Sequence, residues 1–270
     1  MHYTEFQPPD ELQHLVQCAW RLHGKTEPGH VDTIYPDGRC EIIIHLKKTP
    51  RQQLSNGQWT PQSACLFAAQ QRSAIKLAPA REMDCIGIRL QPAASSALKP
   101  RNLIKLRDKI VNLHDLEESF ATRLEELITA NFDPSIGSEL WALLNDRLSS
   151  FDLDSPINQA VNQLIRSDGT HRIDALAEAG QMSIRNFQLR FAEAVGLTPK
   201  EFSRVIRLQA TIRQLDATRE PLAELASGAG FSDQAHASRE LRRMTGLTPA
   251  RLRRALQASP DEDQTIRLAT

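Results

Sequence analysis

The sequence predicts an α+β chain of two domains. Residues 1–150 read as a strand-rich barrel with flanking helices, and residues 151–258 as an all-helical unit of two helix-turn-helix modules joined by a long helix. Three observations carry this reading. A punctuated stretch occurs twice: Ser183–Pro199 and Ser232–Pro249 each end in Gly-Leu-Thr-Pro, 50 residues apart, and Leu176-Ala177 and Leu225-Ala226 precede their Ser residues by seven positions. A repeat of that length is one supersecondary unit used twice. Residues 1–90 instead carry short alternating apolar runs separated by turn signals, the pattern of a sandwich or barrel. Charge is also segregated, although the whole chain balances at 33 Lys+Arg against 33 Asp+Glu.

The chain opens with a short helix from Pro9, Asp10 and Glu11, followed by a strand over Cys18–Leu22 that ends at Gly24. Pro36-Asp37-Gly38 is a turn signal placed before the strand Cys40–Leu46. Alternation puts Ile42, Ile44 and Leu46 on one face of that strand and Glu41, Ile43 and His45 on the other. Asn56-Gly57 marks a hairpin, and Ala64–Ala68, Ala74–Leu77 and Cys85–Leu90 continue the strands. Residues 103–150 turn helical: Leu113, Leu116, Phe120, Leu124 and Leu127 step by three or four, and Leu140, Trp141, Leu144 and Leu148 do the same beyond a turn at Asn131–Pro134. Phe151–Asp154 links the halves, with Ser155 and Pro156 as cap and first residue of the next helix.

In the second half, Ile157, Ala160, Val161, Leu164 and Ile165 form an amphipathic helix stopped by Gly169. Ile173, Leu176 and Ala177 stripe a short helix, Ser183 caps the next, and Phe187, Phe191 and Val195 share its inner face before Gly196 closes it. Thr198 and Pro199 open the long helix, with Phe202, Val205, Ile206, Ile212 and Leu215 inward. The second unit repeats the scheme with Leu222, Leu225 and Ala226, then Gly228 and Gly230, Ser232 as cap, Leu241 and Gly246. Short helix, tight turn and second helix make a helix-turn-helix.

The outer faces of the second helices are polar: Arg185, Asn186, Gln188 and Arg190 in one, and Gln234, His236, Arg239, Arg242 and Arg243 in the other. Arg, Asn and Gln pair bidentately with guanine or adenine edges in the major groove. Arg185, Gln188, Gln234, His236 and Arg239 are therefore candidates for base contact, and Asn186, Arg190, Arg242 and Arg243 for phosphate contact or support of the fold. Residues 155–258 hold 15 Lys+Arg against 10 Asp+Glu, a net +5, whereas residues 1–154 hold 17 against 20 and the frayed tail 259–270 holds 1 against 3. Positive charge lies where phosphate contact requires it.

Residues 155–256 resemble the DNA-binding domain of the AraC/XylS family of bacterial transcription regulators. The resemblance is carried by Leu176-Ala177, Ser183 through Phe191, Gly196–Pro199, Arg207-Leu208, Gly230–Gln234 with His236, Ser238 and Arg239, and Gly246–Pro249 with Arg253. It implies two helix-turn-helix units on a long connecting helix, reading adjacent major-groove segments of double-stranded DNA. Ala237 and Leu241 depart from the family's usual aromatics, and Leu189 stands where Arg is frequent. Tyr35–Gly38, the Ile42–His45 strand and Gly87–Pro92 resemble sensing domains attached to such regulators. That likeness implies a cupin-like β-barrel that binds a small-molecule effector, dimerises, or both. RNA polymerase is a further candidate partner, and the chain is expected to be a monomer or a homodimer.

Glu41, His45 and Arg89 are the candidate ligand-binding residues, suited to an anionic or polar effector. Alternation sets only their sidedness; whether that face is a cavity or the outside stays open. His30, Cys40, His45 and Cys85 lack metal-ligand spacing, and no cofactor motif, glycine-rich phosphate loop, G-x-S-x-G or H-E-x-x-H is present. Cys18, Cys40, Cys65 and Cys85 form no C-x-x-C, as expected of reduced thiols in a cytoplasmic protein, and no segment has the length of a membrane span. Two alternatives stay open: an enzyme or covalent sensor using Cys40 or Cys85, and an interaction adaptor with degenerate helix-turn-helix units.

Overall fold

A computed structural model describes residues 1–98, 102–130, 137–218, 220 and 230–258. The two-domain α+β expectation is borne out. The strand-rich half holds β1 (His2–Phe6), β2 (Val16–Lys25), β3 (Asp32–Ile34), β4 (Glu41–His45), β5 (Arg51–Gln53), β6 (Trp59–Pro61), β7 (Cys65–Ala68), β8 (Ile75–Ala78), β9 (Glu82–Leu90) and β10 (Ile110–Asn112). They form a six-stranded sheet in the order β1-β2-β9-β4-β7-β10 and a four-stranded sheet in the order β3-β8-β5-β6. The two sheets supply opposite walls of one cavity.

Register decides what each face of the larger sheet does. Ile42 pairs with Ile88 and Phe67, and Ala19 with Ile88, so these side chains share one face. That face is capped by α1 (His114–Ala130) and α2 (Ser138–Leu148), whose Phe120, Leu124, Leu144 and Leu148 join Ile42, Ile44, Ile86 and Ile88 in one buried core. Burial of each such side chain contributes about 1.5–3 kcal/mol. The predicted helical stripes hold, with α1 interrupted at Glu117 (φ −157°, ψ 84°), whose carboxylate pairs with Arg147. The turn expected at Asn131–Pro134 lies outside the described residues.

Three strands were not predicted: β1, β3 and β10, the last inside the span read as helical. Each is short and held by a neighbour, β10 by β7 and β1 by β2, so pairing rather than local preference makes them extended. The helix expected at Pro9–Glu11 is a single 3-10 turn, Asp10–Leu12. The hairpin at Asn56-Gly57 closes β5 onto β6, with Leu54 N–H donating to Gln58 O at 2.7 Å.

The helical half comprises α3 (Ser155–Arg166), α4 (Ile173–Ala179), α5 (Ile184–Val195), α6 (Pro199–Ala217), α7 (Gln234–Thr245) and α8 (Pro249–Ala258). The stretch with Leu222, Leu225, Ala226 and Gly228, and the tail 259–270, lie outside the described residues. The repeated glycines act alike: Gly196 (φ 84°) and Gly246 (φ 75°) end α5 and α7 in the left-handed conformation, donating to Ala192 O and Arg242 O. Thr198 and Glu201 form a reciprocal capping box at α6. Two caps fall one residue from the expected Ser. Asp154, not Ser155, caps α3, and Asp233, not Ser232, caps α7, its carboxylate accepting from His236 N–H at 2.6 Å. A carboxylate accepts more strongly than a hydroxyl and favours the positive end of the helix dipole.

The halves dock through α6. Tyr35 and Ala93 from the strand-rich half enter the helical core beside Phe202, Val205 and Ile206. Gln209 Nε2 donates to Pro36 O, and Glu201 pairs with Arg72 at 3.1 Å and Arg107 at 2.9 Å. Ala74 N–H donates to Met244 O, near the end of α7, at 2.7 Å.

Candidate nucleic-acid interface and ligand cavity

The inner side of α5 is fixed by an aromatic stack: Phe187 lies 5.7 Å from Phe191, and Phe191 5.7 Å from Phe202 of α6, centroid to centroid. With that face committed, Arg185, Asn186 and Gln188 are left exposed. Two apolar side chains stand among them, Ile184 at 51% and Leu189 at 58% exposure. Arg190 is engaged differently. Its guanidinium holds Asp154, the cap of α3, at 2.8 Å and reaches the Met182 sulfur, so it braces α5 against its neighbour.

On α7, Ala237, Leu241 and Met244 face inward, so the departures from aromatics at two of these positions leave a buried core in place. Gln234, Arg239, Arg242 and Arg243 are exposed. Arg243 also pairs with Glu240 at 3.0 Å, and Glu240 with Arg204 of α6 at 3.4 Å, tying α7 to the connecting helix. His236 is half-buried, its Nδ1 3.1 Å from Ser232 Oγ and its ring edge-on to Phe231. Phe231 in turn lies under the Arg207 guanidinium, 5.5 Å from ring centroid.

Between the two sheets lies a cavity of about 160 Å3. The face of β4 left undecided by alternation is its wall: Glu41, Ile43 and His45 line it, with Arg89 from β9. The three ligand candidates are thus brought to one chamber. Glu41 Oε1 accepts from Arg89 Nε at 2.8 Å and from Trp20 Nε1 at 3.1 Å. Burial opposes the charge on Arg89, but Glu41 and Asp37 outweigh it and hold the guanidinium protonated. His45 sits apart, 3.3 Å from Gln62 Oε1, and burial pushes its pKa down to about 4, so the ring is neutral at pH 7.

Several cavity residues went unnoticed in the sequence: Tyr3, Trp20, Asp37 and Arg39. For Arg39 a signal existed, since positions 39, 41, 43 and 45 continue one alternation; the turn motif at Pro36–Gly38 masked it. Gly87 has a steric reason to be glycine. It pairs with Trp20 across β2 and β9, and a Cβ there would sit 2.0 Å from the indole. Only a bare backbone lets Trp20 lie flat across β9 and reach Glu41.

The four thiols are buried, and burial raises Cys40, Cys65 and Cys85 to about 12 and Cys18 to about 11. A thiolate nucleophile at Cys40 or Cys85 gets no support from such surroundings. Among the described residues no three His, Cys, Asp or Glu side chains converge as metal ligands. No described helix is long and apolar enough to cross a membrane.

Among the described residues, one complete helix-turn-helix unit and the second helix of another flank a shared connecting helix, attached to a strand-rich domain with a cavity, and define a class of two-domain helix-turn-helix proteins. Residues 176–255 match the family described as "Helix-turn-helix domain", and residues 4–112 match one described as "Domain of unknown function (DUF6597)". The C-terminal part of the chain thus carries a helix-turn-helix domain of the AraC type. It is 33% identical over 123 residues to the HTH-type transcriptional regulator Rv1931c of Mycobacterium tuberculosis, covering 46% of this chain and 45% of that protein. It is 28% identical over 102 residues to the HTH-type transcriptional regulator MtrA of Neisseria gonorrhoeae, covering 37% and 34%. The chain thus spans less than half the length of either relative. Among solved structures, apo ToxT from Vibrio cholerae matches with TM-score 0.46 and 14% identity over 88% of this chain and 97% of that one. The DNA-binding domain of AdpA, in complex with a target DNA, matches with TM-score 0.37 and 25% identity over 40% and 97%.

Proposed function

We propose that this chain is a sequence-specific transcription regulator that binds double-stranded DNA through α5 and α7 and holds a small-molecule effector in the cavity lined by Glu41, His45 and Arg89. The observation that carries the reading is the matched pair of recognition helices. Each turns its apolar side into one core and leaves Arg and Gln side chains bare: Arg185 and Gln188 on one, Gln234 and Arg239 on the other. The 19 residues of α6 span about 28 Å at 1.5 Å each, comparable with the roughly 34 Å helical repeat of DNA. Arg and Gln read purine edges, while Leu189 and Ile184 suit the thymine methyl group. RNA polymerase as a partner and a cytoplasmic location follow from this reading.

The test is a gel shift on the promoter beside the chain's own gene and on a panel of mutated sites. Arg185→Ala and Arg239→Ala should each lose about 1–3 kcal/mol of discrimination at one base position. If both variants kept the wild-type footprint and preference, the base-contact assignment would be wrong.

A further inference from the structure

One cation of the cavity carries an unmet donor. Arg39 Nη1 is sealed from solvent and, among the described residues, has no hydrogen-bond partner. The neighbouring charges are occupied elsewhere. Glu41 serves Arg89 and Trp20, and Glu5 lies on the Arg89 side at 3.9 Å. Asp37 accepts the backbone N–H of Arg39 at 2.9 Å, not its guanidinium. Burial raises the Asp37 carboxyl above the usual range and opposes the charge on Arg39, and the attraction between Asp37 and Arg39 does not outweigh that burial. The remaining wall is largely apolar, with Ile34, Ile43, Ile75, Leu77 and Met83. Its volume, about 160 Å3, is that of a protein cavity which takes a single benzene ring.

We propose that the cavity binds a small organic monocarboxylate whose body is one ring or about six carbons, with its carboxylate bonded to Arg39. This inference rests on the effector reading above and gives it a chemical class. A buried guanidinium nitrogen with an unmet N–H is satisfied best by a planar anion that accepts from it. The position also has a consequence for the helical half. The segment carrying Arg39 is the one seated on α6: Pro36 O accepts from Gln209, and a Cβ at Gly38 would lie 3.0 Å from the Phe202 ring. A carboxylate drawn to Arg39 therefore acts on the backbone that holds the connecting helix.

Titration calorimetry and thermal melts of the full chain test this with benzoate and hexanoate, their neutral counterparts benzyl alcohol and hexanamide, and the cation benzylamine. The carboxylates should bind at least about tenfold more tightly than the neutral probes, the scale of one charge-assisted hydrogen bond. Arg39→Gln, checked for folding by circular dichroism, should erase that preference, and Arg39→Lys should restore part of it. Equal or tighter binding of the alcohol, amide or amine would overturn the carboxylate assignment while leaving an effector site in place. Carboxylate preference unchanged in Arg39→Gln would overturn the role of Arg39. If none of the five probes bound, both the ligand class and the cavity's effector role would fall; the DNA gel shift would still stand by itself.

Discussion

In the strand-rich half, Asp37, Arg39, Glu41 and Arg89 point into a cavity between sheets, whereas in the helical half Arg185, Arg239, Arg242 and Arg243 stand on exposed helix faces. The difference is one of solvation. Inward charges have lost water, so each must be matched by a partner, and the site can answer only to something small that completes the set. Outward charges keep their water, cost the fold little, and sum into a field suited to a polyanion whose counterions are released on contact. On the proposed function, one chain holds two kinds of electrostatic recognition, joined at α6.

The comparison breaks first, if it breaks, on stability. Glu41→Leu removes the acceptor of Trp20 and the nearest carboxylate of Arg89, a side chain only 8% exposed, and leaves it the longer pairing with Glu5 at 3.9 Å. Such a loss should cost about 3–5 kcal/mol in urea unfolding. Arg242→Ala, on the exposed face of α7, should stay within about 0.5 kcal/mol. Similar losses from the two variants would erase the distinction between inward and outward charge.

Acid sharpens the same point at His45. Burial lowers its pKa from 6.5 to about 4, so between those values the unfolded chain carries a proton that the folded chain does not. Stability from this residue is complete above pH 6.5, falls as pH drops, and levels off near pH 4, a loss of at most about 3 kcal/mol. The raised Asp37 carboxyl works in the opposite sense, so the measurement is a difference: urea midpoints of the chain and of His45→Gln across this range. The two slopes should separate below pH 6.5; parallel curves would place His45 in water.

The smallest effect is on salt. Arg242→Gln and Arg243→Gln should each reduce the slope of log affinity against log salt by about 1 for every DNA sequence alike. Arg243 shares its charge with Glu240, so its reduction should be the lesser of the two. A variant that altered sequence preference instead would be reading bases.

Much of this was legible because it is local. Gly196, Gly246, Thr198 and Ser183 act through bonds that reach one to four residues along the chain, and the Phe187/Phe191 and Ile42/Ile44 stripes need only the period of their element. The same locality explains the near misses: Ser232 and Asp233 are both good caps, and the carboxylate prevailed. Strands β1, β3 and β10 left little trace because a neighbour makes them extended. Leu189 read as a departure from pattern, and the structure leaves it 58% exposed on the outer side of α5.

By itself the sequence determined the closing glycines, the Ser183 and Thr198 caps, and which residues share a side of each strand, since backbone preference and hydrophobic period act over a few neighbours. Only the tertiary structure decided that the Glu41/His45 side is a cavity wall, that Arg190 braces α3, and that Arg39 Nη1 is left without a hydrogen-bond partner. Those facts depend on which distant charges sheet register and packing bring within a few ångströms, and no short-range pattern encodes that distance.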